Sequence, residues 1–164
     1  MDASSFMTLA LSCAPAVSPA TALALARAES GLNPFAIGVV GGALLRQPSS
    51  LAEAVATANA LQASGWNFSL GLTQINLKNL ERLRLPIKQA FDVCANLAAM
   101  QVVLSECFDR ASRVQPAPSS QTALRAALSC YYSGNFTTGF REGYVRRVVA
   151  LAAIQPQPIA KVSP

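Results

Sequence analysis

The chain carries at residues 28–36 the run Ala-Glu-Ser-Gly-Leu-Asn-Pro-Phe-Ala, which has the composition of a helix end followed by a tight exit. Glycine often ends a helix because it readily adopts the left-handed backbone conformation, so Gly31 marks the end of a helix over about residues 18–30. Ser18 is a suitable cap for its start. The run therefore places Glu29 in the last turn of this helix.

The carboxyl of Glu29 is the candidate reactive group of the chain. A helix C-terminus carries a partial negative charge, which favours the neutral form of a carboxyl group. Apolar neighbours such as Leu25, Leu32 and Phe35 add desolvation in the same direction. A carboxylic acid that keeps its proton near neutral pH is the group that cleavage of a glycosidic bond requires. The alternative interpretation is a solvated residue at a helix end.

The composition predicts one mainly helical domain. Of the 164 residues, 52% are hydrophobic and 13% are charged, which suits a single core. The longest apolar runs, residues 20–26 and 148–154, are much shorter than the roughly 20 residues of a membrane-spanning helix, so we expect no membrane insertion. The net charge of +5 suggests an anionic partner or serves solubility. No block of Lys and Arg is present, so we expect no nucleic-acid binding.

Histidine and cysteine limit the possible chemistry. Histidine is absent, which excludes histidine-based triads and histidine-ligated metal sites, and we expect no metal and no cofactor. The four cysteines fit two disulfides in an oxidising compartment, or four buried thiols. Cys94 and Cys107 lie too far apart along one predicted helix to pair, which leaves two connectivities. Antiparallel packing of the helices that flank residues 113–120 would bring Cys94 to Cys130. We therefore expect the disulfides Cys94–Cys130 and Cys13–Cys107.

Further elements follow from turn and capping residues. Residues 37–46, which contain Gly41 and Gly42, predict a small β-hairpin, with a flexible glycine loop as the alternative. Helices are predicted at about residues 50–63, 76–85, 92–112, 120–131 and 138–153.

The two ends of the chain do not match the core pattern. Residues 155–164 hold three prolines and predict a tail or linker after a domain at residues 1–154. The apolar run 6–11 follows no basic residue and does not match a signal peptide, so that either a leader has been removed or export is unusual.

Three separated motifs resemble those of the soluble lytic transglycosylases. They are the run Glu29–Ala36, the run Gly-Leu-Thr-Gln-Ile-Asn at 71–76, and the run Cys-Tyr-Tyr-Ser-Gly-Asn at 130–135, which is followed by Tyr144. Their order and spacing fit the family over about residues 12–154. The segment between the first two motifs further resembles the lytic transglycosylase subunit of type IV secretion systems. The resemblance implies a lysozyme-like, mainly α (α+β) single domain that includes the small hairpin predicted above.

The resemblance also implies a function. Such enzymes cleave the β-1,4 bond between N-acetylmuramic acid and N-acetylglucosamine in peptidoglycan and close a 1,6-anhydro ring, without a cofactor. The secretion-system subunit opens the wall locally for channel assembly, which implies a periplasmic location in a Gram-negative bacterium, other secretion-system subunits as partners, and a monomer. The alternatives are a hydrolytic muramidase and a non-catalytic wall-binding scaffold. A basic helical DNA-binding protein is disfavoured because a basic helix face is missing.

Side-chain chemistry and the resemblance together suggest a role for each predicted site residue. Glu29 is the predicted catalytic acid, and it acts alone because the other acidic residues lie outside the three motifs. The predicted substrate-binding residues are Ser30, Gln74, Asn76, Tyr131 and Tyr144, and Ser30 is also expected to anchor the turn that aims Glu29. The two tyrosines have core packing as their alternative role, and Gln74 and Asn76 have helix capping or turn stabilisation. Thr73 and Tyr132 depart from the family pattern, which has methionine and asparagine there.

Overall fold

The computed structural model describes residues 1–114 and 116–154. Along the chain its elements are α1 (Ala3–Cys13), α2 (Pro19–Ser30), β1 (Ile37–Val39), α3 (Leu51–Ala63), β2 (Phe68–Leu70), β3 (Ile75–Asn76), α4 (Leu77–Arg82), α5 (Ile87–Ala90), α6 (Val93–Ser112), α7 (Ser120–Ser133), α8 (Thr138–Arg141) and α9 (Tyr144–Ala153). The expected mainly helical class with a small antiparallel sheet is confirmed. The predicted tail at 155–164 lies outside the described residues. Within the described ranges, no helix has both the length and the apolar character to cross a membrane.

Helix α2 ends where its sequence predicts. Gly31 is left-handed with φ of 62°, and its N–H bonds to the carbonyls of Ala26 and Arg27. The next residue, Leu32, is also left-handed with φ of 67°. Two successive left-handed residues turn the chain sharply away from the helix axis, so Glu29 is left at the open end of α2.

The sheet corrects the predicted hairpin at residues 37–46. Strand β1 pairs with β2 rather than with the residues that follow Gly42, and β2 pairs with β3, all antiparallel. The Gln47 side chain accepts from Ile37 N at 2.8 Å and donates to Ile37 O at 3.0 Å. A returning hairpin strand would need those same backbone groups. The buried side chains of β2 then supply the apolar partner of β1.

The helix predictions miss α1 and α5 and join α8 to α9. The helices predicted at 50–63, 76–85, 92–112 and 120–131 correspond to α3, α4, α6 and α7. The single helix expected at 138–153 is divided into α8 and α9, because Gly143 is left-handed with φ of 75°. Helix α1 was not predicted, although Asp2 accepts from Ser5 N at 3.0 Å and caps it. The buried side chains of α1 add to the common core.

The disulfides Cys94–Cys130 and Cys13–Cys107 were predicted wrongly. The structure pairs Cys13 with Cys94, at a Cα–Cα distance of 5.1 Å, and Cys107 with Cys130, at 5.8 Å. Cys130 lies about 15 Å along α7 from its start. On α6, Cys107 lies about 8 Å and Cys94 about 27 Å before the end of the helix. Cys130 is therefore closer in level to Cys107, and Cys94 in the first turn of α6 meets the end of α1.

Candidate active site

A groove of about 1130 Å³ lies between the sheet and the helices α4, α6 and α7. Four of the predicted site residues line it, namely Glu29, Gln74, Asn76 and Tyr131. Ser30 and Tyr144 are not among its lining residues and act from inside the domain instead. The structure thus brings the three sequence motifs together around one concave surface.

The carboxyl of Glu29 lies at the groove wall with an unusual proton affinity. Burial of the carboxyl raises its pKa from 4.5 to about 7, and this is the main effect. A hydrogen bond from Tyr144 and the positive charge of Arg147 oppose the shift. Near neutral pH a large fraction of Glu29 is therefore protonated and able to donate a proton.

Tyr144 holds this carboxyl from the interior side. Its hydroxyl donates to Glu29 Oε1 at 2.5 Å, and its ring is fully buried at the start of α9. Burial raises the pKa of Tyr144, so its hydroxyl stays protonated and remains a donor. The bond occupies Oε1 and leaves Oε2 of Glu29 to carry the proton.

Substitution of Tyr144 by Phe is expected to raise the pKa of Glu29 above about 7, because the hydrogen bond that favours the carboxylate is lost. Lytic activity is expected to fall roughly tenfold or more, since bonds to charged groups are worth about 1.5–3 kcal/mol. The measurement is the pH dependence of wall lysis, whose alkaline limb is expected to move to higher pH. Tyr132→Phe is the matched control, because the Tyr132 hydroxyl donates to Glu142 at 2.9 Å. A pH profile unchanged in Tyr144→Phe would contradict this role.

Tyr131 faces the groove but its hydroxyl is engaged. It donates to the carbonyl of Thr73 at 2.7 Å, and burial raises the pKa of Tyr131. The negative charge of Glu29 acts on the pKa of Tyr131 in the same direction, and both side chains line the groove. Tyr131 therefore ties the third motif to the second beside the carboxyl, and its direct role toward substrate remains a prediction.

A buried amide that the sequence analysis missed organises the second motif. Asn96 is 1% exposed, and its Oδ1 accepts from Thr73 N at 2.9 Å and from Thr73 Oγ1 at 2.6 Å. Its Nδ2 donates to the carbonyls of Leu70 and Ala90, at 3.0 and 2.8 Å. A Cβ on Gly71 would meet Nδ2 at 2.3 Å, so glycine is required there. The fully buried Thr73, which replaces the usual methionine, thus serves as a partner of Asn96.

Ser30 links the first motif to the second. Its hydroxyl lies 2.7 Å from the carbonyl of Leu72 and 3.2 Å from that of Ala26, one turn earlier in α2. The side chain fixes the end of α2 against the loop that Asn96 holds. This geometry supports the expected role of Ser30 as an anchor of the turn that aims Glu29, and its contact with substrate remains a prediction.

Gln74 and Asn76 also serve the fold. Gln74 is left-handed with φ of 51°, and its Nε2 donates to the carbonyls of Ala36 and Gly71, at 3.1 and 3.0 Å. Asn76 Oδ1 accepts from Lys78 N at 3.1 Å and caps α4. Turn stabilisation and helix capping, the alternative roles weighed for these residues, are thus present in the structure. Both side chains also line the groove, so their contact with substrate remains a prediction.

Side chains of α7 and α9 pack on the ring of Tyr144, the residue that donates to Glu29. The rings of Tyr132 and Tyr144 lie 4.4 Å apart and are inclined by 16°. The guanidinium of Arg147 lies 5.3 Å from the centroid of the Tyr144 ring. Arg147 had no signal in the sequence motifs, but its position one turn after Tyr144 on the helix face predicts their contact. Among the described residues, no group of acidic or cysteine side chains has a metal-binding arrangement.

The sequence is similar to those of known proteins over most of its length. Residues 6–149 match the family model of the transglycosylase SLT domain. The chain is 51% identical to the type IV secretion system protein virB1 of Brucella suis biovar 1, over 96% of its own length and 68% of that protein. It is 35% identical to the protein virB1 of Agrobacterium fabrum, over 90% of its own length and 59% of that protein. No solved structure matches it significantly. The resemblance and the fold class predicted from the motifs are thereby confirmed.

Proposed function

Because this chain belongs to the SLT transglycosylase family, we propose that it is a lytic transglycosylase of peptidoglycan that serves a type IV secretion system. The bond cleaved is the β-1,4 linkage between N-acetylmuramic acid and N-acetylglucosamine, and the product carries a 1,6-anhydro ring. The observation that carries the proposal is the buried carboxyl of Glu29 in the wall of a groove, where it accepts from Tyr144 and burial raises its pKa to about 7.

Glu29 acts first as an acid. Its Oε2 proton passes to the glycosidic oxygen of the leaving N-acetylglucosamine as the bond from that oxygen to the muramic C1 breaks. The N-acetyl oxygen of the muramic residue stabilises the positive charge that develops at C1. The Tyr144 hydroxyl and the Arg147 charge then stabilise the carboxylate that Glu29 has become, since both lower its pKa.

Glu29 acts second as a base. The carboxylate removes the proton from the C6 hydroxyl of the same sugar, and O6 forms the new bond to C1. The N-acetyl oxygen is released from C1, and Glu29 regains its proton. The reaction consumes no water and no cofactor. Because Glu29 ends protonated, it can act as the acid in the next cleavage.

The surroundings of Glu29 favour this mechanism over one with two carboxylates. Two other acids line the groove, Glu106 and Asp109. Glu106 is held by Arg82 through two bonds of 2.9 and 2.8 Å, and Asp109 is exposed on α6. Within the described residues, no carboxylate contributes to the pKa shift of Glu29. A retaining glycosidase instead places its second carboxyl about 5 Å from the first, where it would contribute strongly.

Mass spectrometry of the released fragments tests the reaction. Digestion of purified peptidoglycan is expected to give anhydro-muropeptides, each lighter by one water than the hydrolytic product. A true muramidase would give reducing muramic ends and would take up labelled oxygen from heavy water. Fragments that carry the label at C1 would contradict the transglycosylase reaction but leave the site itself in place.

The cellular role rests on the relatives and on the disulfides. The virB1 proteins of Brucella are named as parts of type IV secretion systems, and we propose the same assignment here. Two disulfides are typical of an oxidising compartment, which supports action in the periplasm. We further propose that the domain acts as a monomer, opening the wall locally beside other secretion-system subunits.

A further inference from the structure

We propose that the wall of the groove formed by α4 and α6 binds the carboxylates of the peptide stems that peptidoglycan carries on its muramic residues. This inference rests on the proposed function, because it concerns the substrate of the same groove. It adds a second recognition element beside the sugar-binding surface, one that reads an anionic peptide rather than the glycan.

The cations of this wall continue away from the reactive end. Cys107 on α6 is joined to Cys130, the neighbour of Tyr131, so this point of α6 lies next to the reactive end of the groove. Arg110 and Arg113 line the groove about 4.5 and 9 Å further along the helix axis. A chain that leaves the sugar next to Glu29 would thus run along positive charge.

Helix α4 adds to the same positive wall. Lys78 is exposed in its first turn and lines the groove. Arg82 also lines it, but its charge is matched by Glu106, and this pair fixes α4 against α6. With that pair set aside, Lys78, Arg110 and Arg113 face the groove against the single carboxylate of Asp109. The wall therefore retains a net positive charge.

The size and character of the groove fit a branched substrate. Its volume of about 1130 Å³ exceeds the roughly 300–1000 Å³ of most small-molecule sites. The guanidinium of Arg110 lies 5.5 Å from the centroid of the Phe136 ring, and Arg110 is exposed and lines the groove. Arginine and lysine at such positions bind carboxylates by charge-assisted hydrogen bonds.

The test compares two soluble ligands: glycan strands that carry their peptide stems, and the same strands after an amidase has removed the stems. Binding is measured in the Glu29→Gln background, so that no strand is cleaved. The test variant carries Lys78→Gln together with Arg113→Gln. The control carries Arg125→Gln, an exposed arginine on α7 outside this groove.

We expect the parent to bind peptide-bearing strands roughly threefold to tenfold more tightly than peptide-free strands, in line with a few exposed ion pairs. The double variant is expected to lose this preference, the Arg125→Gln control is expected to keep it, and raised salt is expected to reduce it. Equal affinity of the parent for both strands would overturn the inference, as would equal displacement by a single-stranded oligonucleotide of the same charge. Failure to bind either strand would count against the proposed function itself.

Discussion

Replacement of Glu29 by Gln is expected to reduce lytic activity by about 10²–10⁴-fold, the usual contribution of a general acid or base. Glutamine has nearly the same shape and still accepts from the Tyr144 hydroxyl, but it has no proton to give. The measurement is the rate of anhydro-muropeptide release from purified peptidoglycan, together with binding of wall fragments. Binding is expected to persist, which separates an inactive enzyme from an unfolded one.

Glu81→Gln is the matched control for this substitution. Glu81 is exposed on α4 and does not line the groove, so its replacement makes the same chemical change away from the site. We expect its activity to remain within about twofold of the parent, as for most surface substitutions. Lysis by Glu29→Gln at the parent rate would leave the chain as a wall-binding scaffold with no catalytic acid at this position.

The stability of Glu29→Gln is expected to depend on pH differently from that of the parent. Folded protein keeps the Glu29 proton up to a pKa of about 7, whereas the reference value is 4.5. Between these values the folded state binds more protons than the unfolded state, so this group makes the free energy of unfolding decrease as pH rises. Glutamine does not titrate. We expect Glu29→Gln to gain stability over the parent from pH 4.5 to 7, by an upper limit of about 3 kcal/mol.

Replacement of Asn96 by Ala is expected to lower the free energy of unfolding by about 4 kcal/mol or more. The change leaves Thr73 N, Thr73 Oγ1 and the carbonyls of Leu70 and Ala90 without their buried partner, and each such loss costs about 1–3 kcal/mol. Denaturant unfolding measures the loss. Activity should fall as well, because the loop that Asn96 holds also carries the partners of Ser30 and Tyr131.

Two further variants make the Asn96 prediction specific. Asn59→Ala changes an exposed asparagine on α3 and is expected to stay within about 0.5 kcal/mol of the parent. Asn96→Asp keeps the acceptor for Thr73 but places a second oxygen against two carbonyls. Its defect should shrink on acidification, when the carboxyl gains a proton to donate. Equal stability of Asn96→Ala and Asn59→Ala would show that the buried amide contributes little.

Local chemistry accounts for the parts of the fold that were predictable. Gly31 ends α2 as its sequence predicts, although Ser18 precedes the helix without a side-chain capping bond. Ser50 caps α3 by accepting from Glu53 N. The partner of β1 was not predictable in this way, since it depends on a glutamine ten residues away in sequence that occupies the edge of the strand. The disulfide prediction was wrong for a related reason. The direction of two helices alone does not determine which positions along them lie opposite each other.

The site residues likewise differ in how far they could be predicted from the sequence. Glu29 could be identified from the sequence because its signal, a carboxyl in the last turn of a helix with apolar residues nearby in sequence, is local. Asn96 was not accessible, because its four hydrogen bonds join segments as much as 26 residues apart and no motif contains it. Tyr144 was predicted as a substrate ligand, yet the break at Gly143 directs it to the carboxyl of Glu29. The sequence therefore indicated a role for Tyr144 at the site, but not its hydrogen bond to Glu29.

The two cross-links on α6 differ greatly in the length of chain that they close. Cys107 and Cys130 are 23 residues apart, whereas Cys13 and Cys94 are 81 apart. Chain statistics make the first pair of thiols meet roughly sevenfold more often in an unfolded molecule. During oxidative refolding, the bond beside Tyr131 should therefore form early, and the N-terminal helix should be fastened last.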